Sequence, residues 1–145
     1  MVDDHGIVRA AVEKLLQYVP EIEVVGSAGS GAEALLLMSR VRPEVVLMDL
    51  SMPDMNGIEA TRAILDAFCG ARVLAFTAYA EPERVVAAFE AGASGYLLKR
   101  GEVDELVSAV RATARGQRWL SAQVAAVLAG SVPSRNAERR ASRRP

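Results

Sequence analysis

Two short apolar runs without alternation, Val45-Val46-Leu47-Met48 and Val73-Leu74-Ala75-Phe76, stand out along the chain. Strands covered on both faces read this way, as they do in parallel sheets. Ile22 to Ala28 and Tyr96-Leu97-Leu98 are a third and a fourth candidate strand. Between them the apolar positions change to helical spacing. Ile7, Val8, Ala11, Val12, Leu15, Leu16 and Val19 recur on one face, and Val103, Leu106, Val107 and Val110 follow the i, i+3, i+4, i+7 rule. Start signals fall where these patterns need them. Ser30 with Glu33 and Asn56 with Glu59 have capping-box spacing, and Pro82 suits a first helical turn. Gly92 is placed to stop the helix that contains Val85 and Phe89. A last short helix is expected from Ser121 as cap, Val124, Val127 and Leu128 as its apolar side, and Gly130 as terminator, with Trp119 and Leu120 as apolar anchors.

Helices and strands thus alternate along the chain, which predicts an α/β, doubly wound parallel sheet with helices on both faces. The 145 residues, 51% of them hydrophobic, suit one domain of this kind. No apolar stretch is long enough to span a membrane. A single cysteine, Cys69, cannot form an internal disulfide and reads as an inert loop thiol, so a cytoplasmic location is expected. The net charge of −1 conceals an asymmetry: Arg135, Arg139, Arg140, Arg143 and Arg144 face only Glu138 after residue 131, so the body before them is acidic. An acidic body argues against a broad nucleic-acid surface. The basic tail, almost free of aliphatic residues, is expected to stay disordered, with weak binding to anions as its one functional alternative.

Ligands bind beyond the carboxyl ends of the strands in open parallel sheets. The residues that follow the apolar runs are Asp49, Thr77 and Lys99, and Asp3 and Asp4 stand just before the first helix, where a further strand would end at the same edge. Converging carboxylates repel unless a cation neutralises them, and a hard divalent ion with oxygen ligands, Mg²⁺ first among them, fits this set. Magnesium prefers a few protein carboxylates together with substrate phosphate, which points to phosphoryl transfer with Asp49 as nucleophile and Lys99 as charge stabiliser. His5 has no second histidine beside it and reads as an exposed helix-start residue.

Four segments carry a resemblance: Val2-Asp3-Asp4-His5; Val46 to Pro53 with Asn56-Gly57; Phe76-Thr77-Ala78; and Gly92 to Lys99. Together they resemble the response-regulator receiver domain of two-component signalling, closest to the subfamily that usually carries a C-terminal helix-turn-helix domain. The resemblance implies a flavodoxin-like, CheY-like sheet in the order 2-1-3-4-5. It implies Asp49 as phosphoacceptor, Mg²⁺ held by Asp4, Asp49 and the backbone carbonyl of Ser51 with Asp3 acting through water, and Lys99 on the phosphoryl group. Thr77 and Tyr96 match the switch pair, Ser51 and Tyr79 the positions that tune dephosphorylation, and Ala78 a small residue that leaves the phosphoryl oxygens accessible.

The chain departs from the family in three places. Only Met1 and Val2 remain of an apolar first strand of about five residues, which we read as a strand begun upstream or trimmed. Arg100 follows the lysine where the family often has a cis proline, and a trans bond is expected there. No helix-turn-helix pattern follows Gly130.

The expected organisation is a receiver domain over 1–116, a short extra or linker helix over 117–130 and the basic tail over 131–145. The expected function is a phosphorylation switch, not a turnover enzyme. A sensor histidine kinase phosphorylates Asp49, and the product reshapes a surface used for partner binding or homodimerisation, in transcriptional regulation. DNA contact is expected only through an output domain absent here, or weakly through the tail. Two rival readings are an Mg-dependent aspartyl phosphohydrolase, disfavoured because position 51 is Ser and not a second Asp, and a phosphorylation-independent scaffold.

Overall fold

The computed structural model describes residues 1–52 and 56–130; Pro53 of the second motif and the tail from 131 lie outside the described residues. Helices and strands alternate as α1 (Gly6–Leu16), α2 (Gly31–Val41), β1 (Val45–Met48), α3 (Gly57–Ala67), β2 (Arg72–Thr77), α4 (Pro82–Glu90), β3 (Gly95–Leu98), α5 (Val103–Ala114) and β4 (Trp119–Leu120). A last helix, α6, covers 122–130. The four strands form a parallel sheet in the order β1-β2-β3-β4.

Local chemistry sets the helix starts as the spacing predicts. The side chains of Ser30 and Asn56 accept hydrogen bonds from the Glu33 and Glu59 amides, Ser121 Oγ accepts from Val124 N, and Pro82 opens α4. Gly92 ends α4 at φ +105°, a conformation that favours a residue without a β-carbon. Val45–Met48, Arg72–Thr77 and Gly95–Leu98 are almost wholly buried, because α1 and α5 cover one sheet face while α2, α3, α4 and Val124 of α6 cover the other.

Three sequence expectations need correction. The candidate strand Ile22 to Ala28 joins the sheet only through an isolated bridge, Val2 to Ala28, while Val2 also bridges Met48. A ladder needs a partner of equal length, and only residues 1–3 lie between 26–28 and β1. Met1 O accepts from Ala28 N, Asp3 N donates to Ala28 O, Val2 N donates to Leu47 O and Asp49 N donates to Val2 O. The expected 2-1-3 order therefore survives as single bridges, and below Met1 a slot of about 580 Å³ opens between 22–26 and β1.

The second correction concerns α1. Val12 and Leu16 are buried, whereas Ile7 and Leu15 are exposed, because the sheet takes only part of a stripe that is wider than the contact. The third concerns Trp119-Leu120, which form the edge strand β4 beside Gly95-Tyr96 instead of belonging to the last helix. Their backbone groups complete β3, and α6 begins only after Ser121.

Candidate functional site

Each chemical residue sits where a strand stops. Asp49 follows β1, Thr77 closes β2 and Lys99 follows β3, with the Lys99 amide donating to Thr77 O at 2.9 Å. Asp3 and Asp4 reach the same edge through the Val2 bridge, since pairing with Met48 sets the N-terminal acids beside Asp49. Close packing of α3 holds the other flank. A β-carbon on Gly57 would collide with the Asp49 carbonyl, and the Gly57 amide donates to Leu50 O, so the start of α3 presses directly on the end of β1.

The side chains converge. Lys99 Nζ lies 2.5 Å from Asp3 Oδ2 and 3.5 Å from Asp49 Oδ2, and both carboxylates are buried. Asp3 Oδ1 accepts from the His5 amide at 2.8 Å, and His5 Nδ1 lies 3.2 Å from both Asp3 Oδ1 and Asp4 Oδ1. The Ser51 amide donates to Asp49 Oδ1 at 3.2 Å. One ligand atom from each of Asp3, Asp4, His5 and Asp49 lies within 4.8 Å of the others. Opposite ligands of an octahedral magnesium ion stand about 4.2 Å apart, so the donors are close enough to share one cation. The buried Asp4 Oδ1 has the His5 ring 3.2 Å away but accepts no hydrogen bond among the described residues. An anionic oxygen in that condition, within an oxygen-rich set, fits a hard divalent ion.

Two buried hydroxyls differ in their partners. Thr77 Oγ1 has no hydrogen-bond partner among the described residues, although Thr77 is fully buried. Tyr96, also fully buried, donates its phenol to the Tyr79 carbonyl at 2.5 Å, and burial pushes the Tyr96 phenol up to about 12. The Tyr79 side chain and Ala78 are exposed on the loop above. The Arg100 peptide is trans, as expected, for no cis bond occurs among the described residues.

Electrostatics divides the two central acids. Burial opposes ionisation of Asp3, yet Lys99 and the His5 amide and ring together hold its carboxyl below the ordinary value of 3.8. For Asp49 burial wins: it pushes the carboxyl up, and the Ser51 amide and Lys99 offset it only in part. A carboxyl whose folded pKa is raised binds its proton more tightly in the folded state. Stability therefore falls as pH rises above the unfolded value. In metal-free buffer Asp49→Asn, which removes this ionisation, should melt above the parent at neutral pH, and the gap should close on acidification towards the unfolded value. Thermal melts between about pH 4 and pH 8 test this, and a gap that widened on acidification would contradict it.

The structure brings the side chains of Asp3, Asp4, Asp49 and Lys99 together and sets Thr77 at the end of the neighbouring strand, and the sequence pattern missed two neighbours. His5, read as an exposed helix start, has a largely exposed ring yet turns Nδ1 onto both N-terminal acids. Arg84, in the first turn of α4, donates from Nη1 to Ser51 Oγ at 2.6 Å. Only the Asp-Asp-His order gave any signal for the first, and none existed for the second.

A family model for the response regulator receiver domain matches residues 1–111. The chain belongs to the response-regulator receiver family. It is 41% identical over 128 residues to the response regulator GacA of Pseudomonas protegens, covering 88% of this chain and 60% of that protein. It is 38% identical to the transcriptional regulatory protein LiaR of Bacillus subtilis, covering 86% and 59%. The chain thus spans about three fifths of the length of these curated relatives. Among solved structures, a LuxR-family two-component response regulator from Aurantimonas sp. SI85-9A1 superposes with a TM-score of 0.86 at 41% identity, covering 90% of this chain and 93% of that one. The isolated receiver domain of RcsB from Salmonella enterica, in the presence of phosphomimetic BeF3⁻, gives 0.81 at 25% identity, covering 88% and 94%. The receiver's acidic pocket is present here as Asp3, Asp4 and Asp49, and no helix among the described residues is long and apolar enough to cross a membrane. The relatives are named as regulators, which accords with a phosphoacceptor and not with a turnover enzyme.

Proposed function

We propose that Asp49 accepts a phosphoryl group from the phosphohistidine of a sensor kinase and that the modified receiver switches a binding surface in transcriptional regulation. The observation that carries this reading is the pairing of the buried Asp49 carboxylate with Lys99, 3.5 Å away, at the strand edge that the neighbouring strand reaches with Thr77, whose buried hydroxyl has no partner among the described residues. A carboxylate oxygen attacks phosphorus, the P–N bond to the donor histidine breaks, and the donor nitrogen keeps the bonding pair. Lys99 offsets the charge on the transferred oxygens, and Thr77 Oγ1 donates to one of them. Asp4, Asp49 and the Ser51 carbonyl, with Asp3 through water, would hold Mg²⁺, which supplies positive charge to the phosphoryl oxygens when bound.

Tyr96 is already inside the core, so from this conformation the first response belongs to Thr77 and the loop carrying Ala78 and Tyr79. Residues 1–116 form the switch in this reading. The extension over 117–130 adds β4 and α6, and Val124 packs into the same core. The 131–145 tail, outside the described residues, remains a basic appendage.

Incubation with Mg²⁺ and acetyl phosphate, followed by intact mass measurement, should add one phosphoryl group to the parent and none to Asp49→Ala. Phosphate uptake by Asp49→Ala would remove Asp49 from the role. Sustained release of phosphate from phosphoesters would make the protein a hydrolase. Partner binding by the parent that survives Asp49→Ala unchanged would make it a scaffold.

A further inference from the structure

Arg84 ties the start of α4 to the loop that leaves the phosphoacceptor. Its Nη1 donates to Ser51 Oγ at 2.6 Å, its Nε lies 3.4 Å from Glu81 Oε2, and the Ser51 amide in turn donates to Asp49 Oδ1 at 3.2 Å. A guanidinium therefore sits one residue away from the buried carboxylate, on an element distant in sequence, and its hydrogen bond fixes the rotamer of the intervening serine. Ser51 is exposed whereas Asp49 is buried. Because Ser51 Oγ accepts from Arg84, its own hydroxyl proton remains available to donate outward.

We infer that Arg84 is a positioning residue that prolongs the life of the phosphoryl group on Asp49 by holding Ser51 across the approach of water. This rests on the reading of Asp49 as phosphoacceptor. Loss of the group is a hydrolysis: a water oxygen bonds to phosphorus, the P–O bond to Asp49 breaks, the carboxylate leaves with the bonding pair, and the water's proton goes to the departing phosphate or solvent. Pinning Ser51 hinders the first of these events. A lysine in place of Arg84 keeps the charge but loses the planar fork that reaches Ser51 and Glu81 together.

The test loads the full chain with Mg²⁺ and acetyl phosphate, removes the donor by desalting, and follows loss of the phosphoryl mass. Arg84→Gln and Ser51→Ala should each shorten the half-life at least threefold, the double variant should be no faster than the quicker single variant, and Arg84→Lys should recover part of the loss. Multiplicative effects of the two single changes would overturn the inference, since Arg84 would not then act through Ser51. So would a wild-type half-life in Arg84→Gln, or equal half-lives in the lysine and glutamine variants. A general loosening of α4 would lower the melting midpoint without this non-additivity. If the parent gains no phosphoryl mass, the reading of Asp49 fails and takes this inference with it; if the parent gains it and Arg84→Gln decays normally, the inference alone fails.

Discussion

An extension of four aliphatic residues ahead of Met1 is expected to raise the melting midpoint by roughly 10 °C. The slot of about 580 Å³ between residues 22–26 and β1 is walled by Val12, Leu16, Ile22, Val24, Val45 and Leu47, among others. Its edges have strand-pairing parity. Leu47 O and Asp49 N already bond to Val2, and Gly26 O and Ala28 N to Met1, so Val45 and Val24 turn peptide groups towards the same gap one pleat further down. Each aliphatic side chain moved from water into the slot contributes about 1.5–3 kcal/mol. Each ordered residue costs about 1.5 kcal/mol in conformational entropy. Four residues then give a net gain of about 3 kcal/mol, and a domain of this size gains a few degrees per kcal/mol. An extension of equal length built from Gly, Ser and Asp is the control. Should both extensions leave the midpoint unchanged, the slot would not be a strand position.

Lys99→Ala should be the most damaging single change at the site, because its ammonium contacts Asp3 and Asp49 together. Removing one partner of a buried ion pair is strongly destabilising, by about 3–5 kcal/mol where burial is complete. Lys99 is 19% exposed, so a loss of about 2 kcal/mol is the scale to expect. Phosphoryl uptake should fall at least about 100-fold, the effect of deleting one preorganised charge stabiliser. The two losses separate experimentally. Millimolar Mg²⁺ should raise the melting midpoint of Lys99→Ala by more than that of the parent, since a bound cation relieves the uncompensated carboxylates, while the rate of uptake stays low. Equal stabilisation of both proteins by Mg²⁺ would show that the carboxylates do not share the ion, and near-normal uptake by Lys99→Ala would remove Lys99 from the chemistry.

How far the residues could be read in advance depended on the range of the interactions involved. Ser30, Asn56, Pro82 and Gly92 were legible because caps and stops act within one helical turn, and each acts in the structure as its spacing predicts. The buried strands were legible because a run such as Val45–Met48 has no polar face to present to water. Asp49, Thr77 and Lys99 followed from the strand ends alone, since a parallel sheet brings its carboxyl edge to one place. Arg84 was not legible: Ser51 lies 33 positions earlier, and the contact depends on how α4 is set over the end of β2. Burial of Ile7 and Leu15 was read wrongly, because hydrophobic periodicity gives a direction and not the width of the surface available to receive it.

The order of local elements, their termini and the chemical type of each strand end were determined by the chain's own pattern, through short-range sterics, capping and the need to hide apolar runs. Tertiary structure decided what pairs with what: Lys99 with Asp3 more closely than with Asp49, Val2 as the bridge between Ala28 and Met48, and β4 completing β3 before α6 begins. Those choices depend on sheet register and on competition among charges a few ångströms apart. They arise only once the chain has folded, when the charges share a site of low polarisability where small differences in distance and burial outweigh sequence proximity.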